Sequence, residues 1–215
     1  MTGDAHGAPM APRLAAAWVA RGLREAGHRA LFAGGCVRDS LLGHEAADYD
    51  VATGATPDEI RRVFPRAIGV GESFGVMLVR HGGRSVEVAT FRADGSYTDG
   101  RRPDAVRFSD DREDALRRDF TINAMALEVT SDAPTLVDPY GGIVDLMSKV
   151  LRTPLSPEES FNDDPLRMLR AARFISQLEV APDPSITAAV TAMADRLTIV
   201  SAARVRIEFD RLMPT

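Results

Sequence analysis

The sequence predicts an α+β fold, with a mixed sheet and its helices over residues 13–153 and an all-helical region after them. Short apolar runs with a period of two, which is typical of strands, alternate with segments of helical periodicity in the first part. From about residue 155 only helical patterns remain. The 215 residues, 45% hydrophobic and 27% charged, suffice for a packed core. No window approaches the ~18 apolar residues of a membrane span, so we expect no membrane association.

The cysteine content indicates the cellular compartment, and the net charge limits which partner surfaces the protein can present. The lone cysteine, Cys36, excludes an internal disulfide and predicts a reducing, cytoplasmic location. We expect Cys36 to be a small buried residue, because no motif pairs it with a base. Residues 1–12 lack a charged region followed by an apolar core, which predicts a disordered tail rather than a signal peptide. The net charge of −5 argues against a globally basic nucleic-acid surface, although a local one stays possible.

The first elements surround a pair of glycines. A helical stripe over 12–27 ends at Gly27, and an apolar strand is expected over 31–33. Gly34 and Gly35 then form a bend whose backbone N–H groups are accessible to an anion, and a helix follows over 37–42. The apolar stripe of the first helix comprises Leu14, Ala17, Trp18, Ala20 and Leu23.

Two aspartates follow on a predicted strand over 48–52. Residues i and i+2 of a strand point to the same face, so Asp48 and Asp50 project together. Adjacent carboxylates repel unless a cation lies between them. Hard oxygen ligands suit Mg²⁺ that bridges to substrate phosphates, and the pattern therefore predicts a Mg²⁺ site.

A third carboxylate lies on a later strand. A helix begins at Thr56, with Pro57 at its first position and Glu59 completing a capping box. Strands over 76–79 and 85–91 follow, joined by a hairpin turn at 81–84. Glu87 is the lone charge in the second strand. It is either a solubility charge on an edge strand or a third acidic residue beside the aspartates.

The segment over 92–114 is polar and has no hydrophobic period, so it is either disordered or a functional lid. Arg101, Arg102 and Arg107 are candidates for contacts with a triphosphate or nucleic acid, the alternative being a solvated charge run. A helical apolar pattern covers 115–127, and a turn at 137–142 closes the region.

A strong helix start at 162–165 combines acidic residues with a proline. Asp164 and Arg167 are three residues apart and form either a helix salt bridge, which spacing alone favours, or a donor and acceptor pair facing a ligand. Two further helices are expected at 185–197 and 201–212. The predicted buried side of the helix that starts at 162–165 comprises Leu166, Leu169, Ala172, Phe174, Ile175 and Leu178.

The order of these motifs resembles the class II tRNA nucleotidyltransferases and bacterial poly(A) polymerases of the DNA polymerase β-like nucleotidyltransferase superfamily. A lone GG or DxD is weak, but the whole series covers about residues 30 to 212. The motifs are GGCVRD from Gly34, DYD from Asp48, EVATFR from Glu87, RRDFTINA from Arg117, DPYGG from Asp138 and DDPLRMLRAARF from Asp163.

The resemblance implies a nucleotidyltransferase head with a mixed sheet of about five strands at 13–153 and a helical neck at 154–215. Asp48 and Asp50 match the metal-binding aspartates, and Glu87 occupies the place of a third acidic catalytic residue. The residues that match nucleotide-binding positions are Gly34, Gly35 and Arg38 for the triphosphate, Arg118, Asp119 and Asn123 for sugar and phosphates, and Asp163, Asp164, Arg167 and Arg170 around the base.

The implied activity is Mg²⁺-dependent addition of CMP and AMP, from CTP and ATP, to the 3′ end of tRNA. Family members continue into a helical body and tail that hold the tRNA, so we expect weak tRNA binding from the head and neck alone. Three alternatives stay open: a poly(A) polymerase or A-adding enzyme, a weakly active nucleotide-binding module, and a structural α/β domain.

Overall fold

The computed structural model describes residues 9–94, 106–129 and 134–213, which form two compact units. Within these ranges, the first unit comprises the residues up to 91 and those of 126–136, and the second comprises 92–125 and 137 onward. Arg101, Arg102 and most of the predicted tail at 1–12 lie outside the described residues. The predicted division into a tail, a head at 13–153 and a neck at 154–215 stays a prediction.

Helices and strands alternate along the described chain, and short 3-10 turns link several of them. The α-helices are α1 Pro12–Glu25, α2 Gly35–Leu41, α3 Pro57–Val63, α4 Asp111–Leu116, α5 Gly142–Met147, α6 Pro157–Asp163, α7 Leu166–Leu178, α8 Pro184–Met193 and α9 Ala202–Leu212. The strands are β1 Ala30–Ala33, β2 Asp50–Thr53, β3 Ile68–Gly71, β4 Val76–His81, β5 Arg84–Thr90, β6 Arg92–Asp94, β7 Val106–Phe108, β8 Ala126–Val129, β9 Pro134–Val137, β10 Val150–Leu151 and β11 Ala181–Pro182.

A seven-stranded mixed sheet in the order β3-β4-β5-β2-β1-β8-β9 forms the centre of the first unit. β2 and β5 are parallel, whereas β1 pairs antiparallel with β2 and β8. The β4–β5 hairpin closes through Gly82 and Gly83, whose φ angles of 55° and 75° suit a tight two-residue turn. The predicted mixed sheet, the hairpin and the capping box of Thr56 and Glu59 are thus confirmed.

Helix α1 packs on this sheet through a stripe that includes the predicted residues Ala20 and Leu23 but not Leu14. Ala16, Val19 and Leu23 are fully buried, whereas Leu14 is 60% exposed. The helix ends as predicted near Gly27, which has a φ of 89°. The prediction for Leu14 is wrong, because the small residues Ala15 and Ala16 take the buried side near the start of the helix.

The second unit corrects several predictions. The helix expected over 115–127 is wrong, because α4 ends at Leu116, a 3-10 turn covers 121–123 and β8 begins at Ala126. The polar segment over 92–114 contains the paired strands β6 and β7 and helix α4, which the absence of a hydrophobic period concealed. Within α7 the predicted buried residue Ala172 is exposed, while its neighbour Ala171 is buried.

Helix α6 is a further element that the sequence patterns did not indicate. The predicted helix start at 162–165 spans the end of α6, whose last residue is Asp163, and α7 begins at Leu166, directly after Pro165. The two later helices are confirmed as α8 and α9. None of the described helices combines the length and the apolar character needed to span a bilayer.

Candidate active site

One end of the sheet in the first unit collects the glycine bend, the aspartates and Glu87. β1 and β2 pair antiparallel with Ala33 opposite Asp50, so the bend after β1 lies beside the start of β2. β2 and β5 pair in parallel with Val51 opposite Val88. One residue earlier on each strand, Asp50 lies beside Glu87. Residues about fifty positions apart in sequence therefore meet at one sheet end.

Asp48 lies just before β2, because the strand begins at Asp50 rather than at residue 48 as predicted. Burial nevertheless alternates over residues 48–50. Asp48 and Asp50 are exposed, while Tyr49 between them is 7% exposed and packs edge-on against Phe32. Tyr49 thus anchors this segment to the core and leaves both carboxylates on the solvent side, as the spacing predicted.

Glu87 belongs to an internal strand, since β5 lies between β4 and β2. The alternative of a solubility charge on an edge strand is therefore wrong. Desolvation by the surrounding residues raises the pKa of Glu87, and the nearby Asp50 carboxylate raises this pKa further. Negative charge is concentrated at this end of the sheet.

The donor set suits a divalent cation that takes part of its ligands from elsewhere. Within 9–94, 106–129 and 134–213, no group of three or more His, Cys, Asp or Glu side chains is close enough to hold a metal ion. Asp48 and Asp50 supply exposed carboxylate oxygens, and a cation there would relieve the repulsion between Asp50 and Glu87. Mg²⁺ typically binds one or two carboxylates plus waters and substrate phosphates, so these residues fit it.

Arg38 turns back over the glycine bend. Gly34 has a φ of 83°, in the region that favours glycine, and α2 starts at Gly35. A Cβ atom built on Gly35 would lie 3.5 Å from a terminal guanidinium nitrogen of Arg38. The same guanidinium contacts Asp39 at 2.6 Å. The structure thus brings the three predicted triphosphate-binding residues together.

Asp119 is the centre of a buried polar network in the second unit. One carboxylate oxygen accepts from the Asn123 side chain at 3.1 Å and from the Phe120 backbone at 2.8 Å. The other accepts from two nitrogens of Arg170 at 2.8 and 2.5 Å. Burial alone would raise the pKa of Asp119, but Arg170 and Asn123 hold this pKa below its usual range.

The stability of wild type and of Asp119→Asn should therefore converge in acid. Asp119 has a lowered pKa when folded, so its charge stabilises the fold above the unfolded pKa, and this contribution is lost as pH falls through the folded pKa. We expect Asp119→Asn to cost about 2–4 kcal/mol between about pH 5 and 7, because the part-buried Arg170 guanidinium loses its carboxylate partner at 2.5 Å. Urea unfolding should show a smaller difference near pH 3. A constant difference down to pH 3 would contradict the role of the charge.

Arg118 points to a different acceptor from Asp119. Its guanidinium donates to Asp114 at 3.0 Å, and Arg117 contacts the other oxygen of Asp114 at 2.7 Å. Burial alone would raise the pKa of Asp114, but the two arginines hold this pKa below its usual range. Arg118 thus lies within the same unit as Asp119 and Asn123 but is not part of their network.

Asp164 and Arg167 do not form the helix salt bridge that their spacing favours. Asp164 pairs with Arg204 at 2.7 Å and also accepts from the Leu166 backbone at 3.1 Å. Arg167 is 8% exposed and donates to the Ser160 hydroxyl at 2.8 Å and to the backbone carbonyl of residue 117 at 2.7 Å. Each side chain is held by its own set of partners.

A family model described as the poly A polymerase head domain matches residues 30–152. The chain belongs to the poly A polymerase head domain family. A second model, described as a probable RNA and SrmB-binding site of polymerase A, matches residues 180–215. The resemblance drawn from the motifs, and the fold class that it implies, are confirmed.

Relatives of this family member include named enzymes. The CCA-adding enzyme of Bacillus subtilis strain 168 is 45% identical over 196 residues, which cover 91% of this chain and 49% of the relative. The crystal structure of the Bacillus stearothermophilus CCA-adding enzyme in complex with CTP has a TM-score of 0.83 at 37% identity, covering 94% of this chain and 49% of that one. A tRNA nucleotidyltransferase complexed with a primer tRNA and an incoming ATP analogue has a TM-score of 0.74 at 33% identity, covering 90% and 57%. This chain spans about half the length of the curated relatives it matches.

Three residues around the predicted nucleotide-binding positions do not stand out in the sequence patterns. Glu208 is 4% exposed and contacts Arg170 at 3.5 Å and Arg173 at 2.8 Å. Arg204 and Ser160 hold Asp164 and Arg167. The only sequence signal was the spacing of four between Arg204 and Glu208, which places both on one face of α9.

Proposed function

We propose that this chain carries the nucleotidyl-transfer chemistry of a CCA-adding enzyme, joining CMP and AMP from CTP and ATP to the 3′ end of tRNA. The observation that carries the proposal is the strand register that places the glycine bend, Asp50 and Glu87 at one sheet end. Support comes from relatives named CCA-adding enzymes and from the solved complex of one with CTP.

The reaction is an in-line displacement at phosphorus. The 3′-hydroxyl of the RNA attacks the α-phosphate, the bond to the β-phosphate oxygen breaks, and pyrophosphate leaves. Asp48 and Asp50 would hold Mg²⁺, with Glu87 as the adjacent acidic residue. Bound Mg²⁺ supplies Lewis-acid chemistry that lowers the pKa of the attacking hydroxyl and neutralises charge on the leaving group.

The protein's own groups orient the nucleotide. Backbone N–H groups at Gly34 and Gly35 and the guanidinium of Arg38 bind the triphosphate, so positioning contributes much of the rate. Arg118, Asp119 and Asn123 bind the sugar and phosphates. Arg170 acts on the same site by holding the Asp119 carboxylate at 2.5 Å.

The base is selected by Asp164 and Arg167, with Asp163 adjacent. A carboxylate accepts from the exocyclic amino group that cytosine and adenine share, and a guanidinium donates to ring and carbonyl acceptors. Uracil and guanine present a carbonyl oxygen at the equivalent position, which cannot donate a hydrogen bond to the carboxylate and is repelled by its negative charge. The two side chains thus select for CTP and ATP.

A poly(A) polymerase or A-adding activity is the second candidate, because the matching family model is described as a poly A polymerase head domain, whereas the named relatives favour CCA addition. Both candidates use the same nucleotide-selecting pair.

We expect the binding of tRNA by these residues alone to be weak. The single buried Cys36 is consistent with a reducing, cytoplasmic location.

A primer extension assay tests the proposal. The chain is incubated with Mg²⁺ and tRNA that ends before CCA, with radiolabelled CTP and ATP supplied singly and together. Synthesis of CCA supports the leading proposal, and A-only addition supports the second. Nucleotide binding without extension would contradict both and favour a nucleotide-binding module.

A further inference from the structure

We propose that Arg204 is a specificity-determining residue, which fixes the position of the Asp164 carboxylate against the base. This inference rests on the proposed function, because it assumes that Asp164 recognises the nucleotide. Arg204 itself need not touch the nucleotide, so it is a positioning residue.

The two carboxylate oxygens of Asp164 are held by different donors. The Arg204 guanidinium donates to Oδ2 at 2.7 Å, and the Leu166 backbone N–H donates to Oδ1 at 3.1 Å. Each carboxylate oxygen has two lone pairs, so each keeps capacity for another donor. The carboxylate is therefore fixed in orientation and still able to accept from a base.

Burial makes the Arg204 contact stronger than an ordinary surface ion pair. The side chains of Arg204 and Asp164 are 21% and 17% exposed. The pair joins residues forty positions apart, so α9 sets the position of the turn that precedes α7. Exposed pairs are screened by water, whereas this pair is mostly withdrawn from it.

A second contact from the same face of α9 also holds a residue of the proposed nucleotide site. Glu208 lies one turn after Arg204 and contacts Arg170, which in turn holds Asp119. Arg204 and Glu208 of α9 thus each pair with a residue of opposite charge, Asp164 just before α7 and Arg170 within it. Helix α9 positions both the proposed base-recognition residue and a proposed sugar-binding residue.

Loss of Arg204 should change base selection more than overall affinity. Without the guanidinium, the Asp164 side chain is free to rotate, and a displaced acceptor no longer penalises the carbonyl oxygen of uracil. Binding of CTP should weaken, while binding of UTP should change little or improve. A general loosening of the fold would instead weaken both nucleotides together.

The test is isothermal titration of CTP and UTP, with Mg²⁺, into wild type, Arg204→Leu, Arg204→Lys and Arg206→Ala. Arg206 is the matched control, because it lies two residues away on α9 and forms an exposed pair with Asp210, their side chains being 83% and 67% exposed. We expect the ratio of the UTP to the CTP dissociation constant to fall at least about tenfold in Arg204→Leu, a change of about 1.4 kcal/mol. This ratio should fall less in Arg204→Lys, and in Arg206→Ala it should equal that of the wild type.

An unchanged ratio in folded Arg204→Leu would overturn the inference. If thermal unfolding shows that the leucine variant does not fold, an unchanged ratio in Arg204→Lys overturns it instead. Equal binding of CTP and UTP by the wild type would contradict base selection by Asp164, and so the proposed function. Titration without RNA keeps that result separate from a failure to hold tRNA.

Discussion

Replacing Asp48 by alanine is expected to abolish nucleotide incorporation while leaving the fold intact. Asp48 is exposed and precedes β2, so its side chain contributes little to the core. Loss of one carboxylate should lower the rate by on the order of 10³-fold or more, because charge stabilisation in the transition state is the main contribution of such groups.

Radiolabelled CTP incorporation and thermal unfolding should be measured on the same samples. Glu45→Ala is the matched control, since it removes an exposed acidic residue three positions earlier. Turnover retained by Asp48→Ala, or lost equally in Glu45→Ala, would contradict the assignment of Asp48 as a metal ligand.

Replacing Gly142 by alanine is expected to cost the second unit roughly 3 kcal/mol or more of unfolding free energy. A Cβ atom at this position would lie 2.3 Å from the Thr121 carbonyl oxygen and 2.8 Å from Met125 Cγ. The first contact is with backbone, so a side-chain rotation does not relieve it. Because Thr121 lies between Asp119 and Asn123 in sequence, nucleotide binding should weaken as well.

Gly27→Ala is the control for Gly142→Ala, and the loss of unfolding free energy is compared between the two variants. Gly27 has a φ of 89°, but nothing lies within 4 Å of its added Cβ atom. Only backbone strain of about 1–2 kcal/mol is expected there. Urea unfolding monitored by circular dichroism separates the two, and equal losses in both variants would contradict a steric role for Gly142.

Local patterns predicted much of the first unit because their causes lie within a few residues. Thr56 and Glu59 satisfy each other's backbone donors three positions apart, and Gly82-Gly83 closes a hairpin by its own dihedral angles. The alternation that turns Asp48 and Asp50 to one side depends only on strand geometry. Even where the strand began later than predicted, the buried Tyr49 kept that alternation.

The partners of the proposed nucleotide-binding residues were not predictable in this way. Spacing favoured a bond between Asp164 and Arg167, yet each found a partner elsewhere, in Arg204 and in Ser160. A pair three residues apart on a helix competes with any better-buried partner that the tertiary fold brings near. Helical periodicity likewise failed over 115–127, where the chain turns at Asp119 to make its buried contacts.

The sequence by itself determined the chemistry that this protein brings: two adjacent carboxylates, a glycine bend with an arginine, and a later acidic and basic motif. These follow from residue type and short-range geometry. Tertiary structure alone decided that Glu87 lies beside Asp50, on an internal strand at one end of the sheet, and that α9 holds Asp164 and Arg170. The physical reason is that strand pairing and buried ion pairs join residues about forty to fifty positions apart, where the packing of the whole unit selects the partner.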